Sequence, residues 1–146
     1  MVFFGEFRGK IDSQGRVVIP AKLRNLLGNK KGSSVYITRG LENCLFIFSE
    51  KVWESQSEKL KTLPFTKGDP RAFTRLFFSG TYQSKIDRQG RILIPSNLLK
   101  YAGIKEKIVI VGVGTRIELW AEERWDKYFS QSLPSYSELA EKLVEL

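Results

Sequence analysis

Asp12-Ser13-Gln14-Gly15-Arg16 places a carboxylate, a glycine and a guanidinium within five residues, and Asp87-Arg88-Gln89-Gly90-Arg91 does so again. Asp can accept hydrogen bonds from the backbone that follows it, and Gly supplies a positive φ, so each segment predicts a stiff turn. Such a turn aims one arginine. A guanidinium fork suits a phosphate, or O6 and N7 of guanine in a major groove. Arg8, Lys10, Lys85 and Arg88 add positive charge suited to a nucleic-acid backbone, and Ser13, Gln14 and Gln89 complete the two candidate contact loops. The same residues also admit a purely structural reading, a capped turn closed by an internal ion pair.

Composition narrows the chemistry. The chain of 146 residues has no histidine and a single cysteine, Cys44. That excludes Ser-His and Cys-His nucleophilic pairs, His-based zinc sites and any intrachain disulfide. A lone cysteine reads as a small buried hydrophobe. The net charge is +8, which suggests a polyanionic partner. The basic charge is concentrated in residues 1–40 (+6) and 67–116 (+7), whereas residues 117–146 carry −4. No apolar run is long enough to span a bilayer, and the N-terminus lacks the pattern of an export signal, so a cytoplasmic protein without a membrane partner is expected.

The elements that must position the two turns are themselves duplicated. Lys10–Pro20 and Lys85–Pro95 are identical at eight of eleven positions, at an offset of 75. Farther along the offset becomes 72, matching Gly40 with Gly112, Phe48 with Trp120 and Trp53 with Trp125, so the first copy holds three extra residues, placed in the Asn29–Ser34 loop. Each copy predicts a strand (Gly5–Lys10 in the first), the turn, and a β-branched strand buried on both faces (Arg16–Ile19). A helix opening at Pro20 or Pro95 and closing at Gly28 or Gly103 follows. Two further strands come next, Val35–Arg39 and Cys44–Phe48, with Lys107–Val111 and Arg116–Trp120 as counterparts. A helix bearing Trp53 or Trp125 ends each copy, with Ser49 as N-cap of the first. Asp69-Pro70 predicts the start of a connecting helix through Leu76, and Tyr136–Leu146 a short amphipathic tail. The expected organisation is 5–51 first repeat, 52–76 helical connector, 77–122 second repeat and 123–146 helical tail. Some 50 residues bury too little surface to stand alone, so the copies are expected to pack as an intramolecular pseudodimer.

Other features read as structural. Gly112-Val113-Gly114 begins like a dinucleotide fingerprint but lacks the third glycine and joins two strands. Glu118, Glu122, Glu123 and Asp126 read as a solvated helix face rather than a metal site. Trp53 and Trp125 read as core anchors. Phe3, Phe4, Phe77 and Phe78 are candidates for a subunit surface, with core packing the plainer assignment.

Lys10–Arg24 resembles the AbrB-type swapped-hairpin DNA-binding motif. Two such motifs, with Phe3–Phe7 before the first, Arg71–Gly80 between them and Gly90–Pro95 in the second, resemble the MraZ family. The resemblance implies an α+β, β-dominated fold of two tandem AbrB-like repeats packed as a pseudodimeric β-barrel with short flanking helices. It also implies a transcriptional regulator of the bacterial cell-division and cell-wall gene cluster, nucleoid-associated, forming a ring-shaped homo-oligomer. Such a ring would read short direct repeats in double-stranded promoter DNA through Arg16 and Arg91, each paired with Asp12 or Asp87. No enzyme activity, cofactor, metal or small-molecule substrate is expected. An antitoxin-like protein-interaction module is the alternative, and an enzyme on a β-barrel scaffold a third reading with no visible acid–base pair.

Overall fold

The computed structural model describes residues 1–28 and 32–144. The inserted loop therefore lies partly outside the described residues, as do the last two residues of the tail.

The first repeat contributes β1 (Phe3–Lys10), β2 (Arg16–Val18), α1 (Ala21–Leu27), β3 (Ser34–Arg39), β4 (Leu45–Ser49) and α2 (Glu50–Lys61). Helix α3 (Gly68–Ser79) follows. The second repeat contributes β5 (Tyr82–Lys85), β6 (Arg91–Leu93), α4 (Ser96–Ala102), β7 (Lys107–Gly114), β8 (Ile117–Ala121) and α5 (Glu122–Ser132), then α6 (Tyr136–Leu143). Helices hold 43% of the described residues and strands 30%, so strands dominate the core but not the residue count.

Six strands form one antiparallel sheet in the order β1-β7-β8-β4-β3-β5, and β2 pairs with β6 in a separate ribbon. The first strand of each repeat has crossed to the other repeat's hairpin, β1 onto β7 and β5 onto β3. A pseudo-twofold axis follows from the register. Equivalent residues face each other at Val17–Ile92 in the ribbon and at Phe46–Glu118 in the sheet. β1 and β5 are the ends of the ladder, and no closed barrel ladder occurs among the described residues.

This exchange explains how two thin repeats make a core. One buried cluster draws Val17, Ile19, Leu45 and Ile47 from the first repeat and Ile92, Ile94, Ile117 and Leu119 from the second. Residues i and i+2 of a strand share a face, so Ile108 and Ile110 of β7 enter this inner core while Val109 and Val111 face the other side. There Val109, Val111, Cys44 and Trp120 form a second cluster under α5. Cys44 is fully buried, and burial pushes its thiol pKa well up, as expected of a structural cysteine.

Several sequence expectations need correction. Trp53 and Trp125 are half-buried rather than core. They anchor aromatic stacks on the outer face: Trp53 lies on Tyr36 (5.2 Å) and Phe77 (5.6 Å), and Trp125 packs edge-on against Trp120 (5.4 Å). Glu118 is not on a helix. It is a buried strand residue accepting from Arg116 Nη2 (2.8 Å) and Trp120 Nε1 (3.1 Å). Asp69 and Pro70 fall inside the first turn of α3, whose cap is Lys67. Phe3 and Phe77 are buried, whereas Phe4 is exposed. Ser49 does cap α2, its hydroxyl accepting from Val52 N at 3.2 Å. Ser49→Ala should cost about 1 kcal/mol of stability, measurable by denaturant titration.

Candidate nucleic-acid interface

The two turns are built alike to within 0.1 Å. Asp12 Oδ1 accepts from the backbone N–H of Gln14 (2.9 Å) and Arg16 (2.9 Å), while Oδ2 accepts from Arg16 Nε (2.8 Å). Asp87 makes the same three bonds with Gln89, Arg91 and Arg91 Nε, at 2.9, 2.9 and 2.8 Å. The main chain closes each turn through Gly15 N to Asp12 O (3.1 Å) and Gly90 N to Asp87 O (3.0 Å). Both glycines sit at positive φ, 82° and 76°, where a side chain is strained.

Pinning Nε to the carboxylate leaves the two terminal Nη groups of each arginine unengaged by its own aspartate, on side chains 31% (Arg16) and 26% (Arg91) exposed. These are charge-assisted bonds, and two backbone amides fix the aspartate that makes them. The donors favour the ionised carboxylate. For Asp12 the Arg16 amide is foremost in lowering the pKa below its ordinary value; for Asp87 desolvation opposes the shift, but the Arg91 and Gln89 bonds outweigh it. A depressed folded-state pKa contributes stability above the unfolded value of 3.8 and loses it as pH falls through the folded value. In an NMR titration both carboxyl resonances should show midpoints below 3.8. Asn substitution should loosen the arginines without unfolding the sheet.

The strand exchange brings the two turns together. β2 and β6 pair with Arg16 opposite Leu93 and Val18 opposite Arg91. Val17 and Ile92 point into the core, so the outward face of the ribbon carries Arg16, Val18, Arg91 and Leu93. Val18 is 53% exposed and Leu93 40%. The expectation of strands buried on both faces is therefore wrong, and sequence reading missed these two apolar residues at the site. Alternation was the available signal, hidden by a run of branched side chains. Arg91 Nη1 stands 4.0 Å from Asp12 Oδ2, so the two arginines share one surface. The loops are cross-tied by Ile19 N to Gly90 O (2.9 Å) and Ile94 N to Gly15 O (2.8 Å).

Ser13, Gln14, Lys85, Arg88 and Gln89 are all exposed on these loops or the strand leading in. Lys10 is exposed too, with Glu106 at 3.7 Å. Arg8 is not part of the group. It lies on the α5 side of the sheet, with Asp126 at 2.8 Å, Glu6 at 3.2 Å and Glu122 at 3.5 Å. Those carboxylates balance its charge, and two of them belong to the acidic run read as a solvated helix face. Among the described residues no group of carboxylates and thiols could hold a metal ion, and no helix is long and apolar enough to cross a membrane.

Comparison with known proteins agrees with the duplication. The family model "MraZ protein, putative antitoxin-like" matches residues 2–76 and again 77–145. Transcriptional regulator MraZ of Desulforamulus reducens is 47% identical over 145 residues, covering 99% of both chains. Its namesake in Pelotomaculum thermopropionicum is 48% identical over 145 residues, covering 99% of this chain and 97% of that one. The solution structure of PHS018 from Pyrococcus horikoshii aligns with 80% of this chain and 96% of its own at 21% identity and a TM-score of 0.38, a likeness on which nothing rests. With two family domains spanning nearly all its length and full-length relatives near half identity, the chain belongs to the MraZ family.

Proposed function

We propose that the protein is a DNA-binding transcriptional regulator that lays the β2–β6 ribbon against double-stranded DNA. The observation that carries this reading is the pair of carboxylate-held arginines on the outward face of one two-stranded ribbon. A ribbon of this kind fits a major groove, where an arginine fork meets guanine O6 and N7 and an apolar side chain meets a thymine methyl. Arg16 and Arg91 are the base-reading residues, and Val18 and Leu93 the apolar contacts beside them. Lys10, Lys85 and Arg88, with the polar Ser13, Gln14 and Gln89, meet the phosphates. Asp12 and Asp87 act through the arginines they hold.

The names of the relatives support regulation of transcription. The family resemblance adds the finer reading: short direct repeats in the promoter of a cell-division and cell-wall gene cluster, bound by a ring-shaped homo-oligomer on the nucleoid in the cytoplasm. Adjacent subunits of a ring present equivalent arginines to successive repeats, and multivalency raises affinity without strong single contacts.

The test is a binding titration against the duplex upstream of the protein's own gene, with a scrambled duplex as control, at two salt concentrations. Selective binding that weakens steeply with salt is the expected result. Equal, weak binding to both duplexes would reject the reading and favour an antitoxin-like interaction module.

A further inference from the structure

The two turns are alike in geometry but unlike in charge. At the first, Ser13 occupies the loop tip. At the second, the equivalent position is Arg88, exposed and without a carboxylate partner among the described residues. Lys10 has Glu106 beside it, whereas Lys85 forms no ion pair among the described residues. Strand exchange adds a third difference. Helix α1 of the first repeat lies over the turn of the second, and helix α4 over the turn of the first. Position 24 in α1 is arginine and its equivalent in α4 is Leu99. The Arg24 guanidinium lies directly on Gly90, its Cζ 2.7 Å from where a Cβ would stand, and Nη1 donates to Ile19 O at 2.9 Å. Across the pseudo-axis, Leu99 Cδ1 meets the corresponding point at Gly15 from 3.7 Å. Gly90 is accordingly buried and Gly15 only half-buried.

We propose that the second turn is the phosphate anchor of the ribbon, with Arg24 as a DNA-backbone contact supplied in exchange by the first repeat, and that this imbalance fixes the direction in which each subunit sits on DNA. The proposal rests on the ribbon being the DNA-facing surface. A strictly twofold reading head is unchanged when its DNA is turned end for end, so it cannot tell one direction from the other. Three guanidiniums at one turn (Arg24, Arg88 and Arg91) against Arg16 alone at the other remove that equivalence. Directed binding is what a series of direct, rather than inverted, repeats requires of identical subunits.

The experiment uses the full chain and the duplex from upstream of its gene, read by salt titration and by phosphate-ethylation interference. Arg24→Leu with Arg88→Ser gives the second turn the residues the first already carries, so the fold has a precedent for both. The unaltered protein should show interference stronger on one flank of each repeat. The double variant should lose that flank and lower the slope of log K against log salt by about 2, roughly one per phosphate contact. Arg24→Lys combined with Arg88→Ser should restore about half of that slope. Ser13→Arg should add interference on the opposite flank. If Arg16→Ala and Arg91→Ala abolish binding but the double variant keeps both the slope and the one-sided pattern, the anchor is wrong and the ribbon reading stands. A symmetric pattern from the unaltered protein also overturns the proposal. Absence of selective binding by the unaltered protein overturns both.

Discussion

Arg16→Ala and Arg91→Ala should each reduce selective DNA binding by at least tenfold, and together reduce it to the level of scrambled DNA, while far-UV circular dichroism and Tm stay close to those of the unaltered protein. A bidentate arginine–guanine pair is worth about 1–3 kcal/mol of discrimination, and repetition around an oligomer multiplies the loss. The fold should survive because each arginine side chain hydrogen-bonds the aspartate of its own turn, the one cross-turn ion pair being the long 4.0 Å contact of Arg91 Nη1 with Asp12 Oδ2, while Val17 and Ile92 between them stay buried. Asp12→Asn and Asp87→Asn should fall between, since they keep the side-chain shape but weaken the charge-assisted hold on Nε. Lys in place of either arginine should not rescue selectivity, because an ammonium cannot present a planar fork. Unchanged binding by both alanine variants would remove the arginines from the interface.

Gly112→Ala should do the opposite, damaging the fold first. Gly112 faces Gly5 in the β1–β7 register. A Cβ there would collide with the backbone of β1, standing 2.6 Å from Phe3 C and 2.7 Å from Phe4 Cα and nearer still to Phe4 N. Backbone in a paired strand cannot step aside as a side-chain tip can. Overpacking of this kind costs about 3 kcal/mol, roughly a 10 °C fall in Tm for a chain of this size. The element displaced is the exchanged strand, so the variant should also loosen Phe3 from the inner core and raise exchange of the β1 amides. A Tm within a degree or two of the unaltered protein would show that β1 tolerates displacement. The glycine pattern that begins like a dinucleotide fingerprint is thus a place of close backbone approach.

Duplication made much of this legible from the sequence. Both turns, their closing glycines and the order of strands and helices could be read because each copy checks the other; the Ser49 cap was legible from its own residue type alone, since its counterpart is Ala121. What the sequence hid was long-range. Arg24 reads as an ordinary helix residue until strand exchange lays α1 over Gly90. Val18 and Leu93 sit in runs that look wholly apolar, and only pairing into an isolated ribbon exposes one face. Glu118 belongs by composition to an acidic run. Its burial depends on Arg116, which bonds it and stacks 4.5 Å over Phe46, the residue facing Glu118 across the pseudo-axis.

The fusion of two exchanged repeats into one chain has a consequence for how the molecule can change over generations. Were each repeat a separate polypeptide pairing with a copy of itself, any substitution at a turn would appear at both turns at once. Assembly would also weaken on dilution. In a single chain the partner is always present, and each turn is encoded by its own codons. Ser13 and Arg88, or Arg24 and Leu99, could then drift apart while the shared core held still.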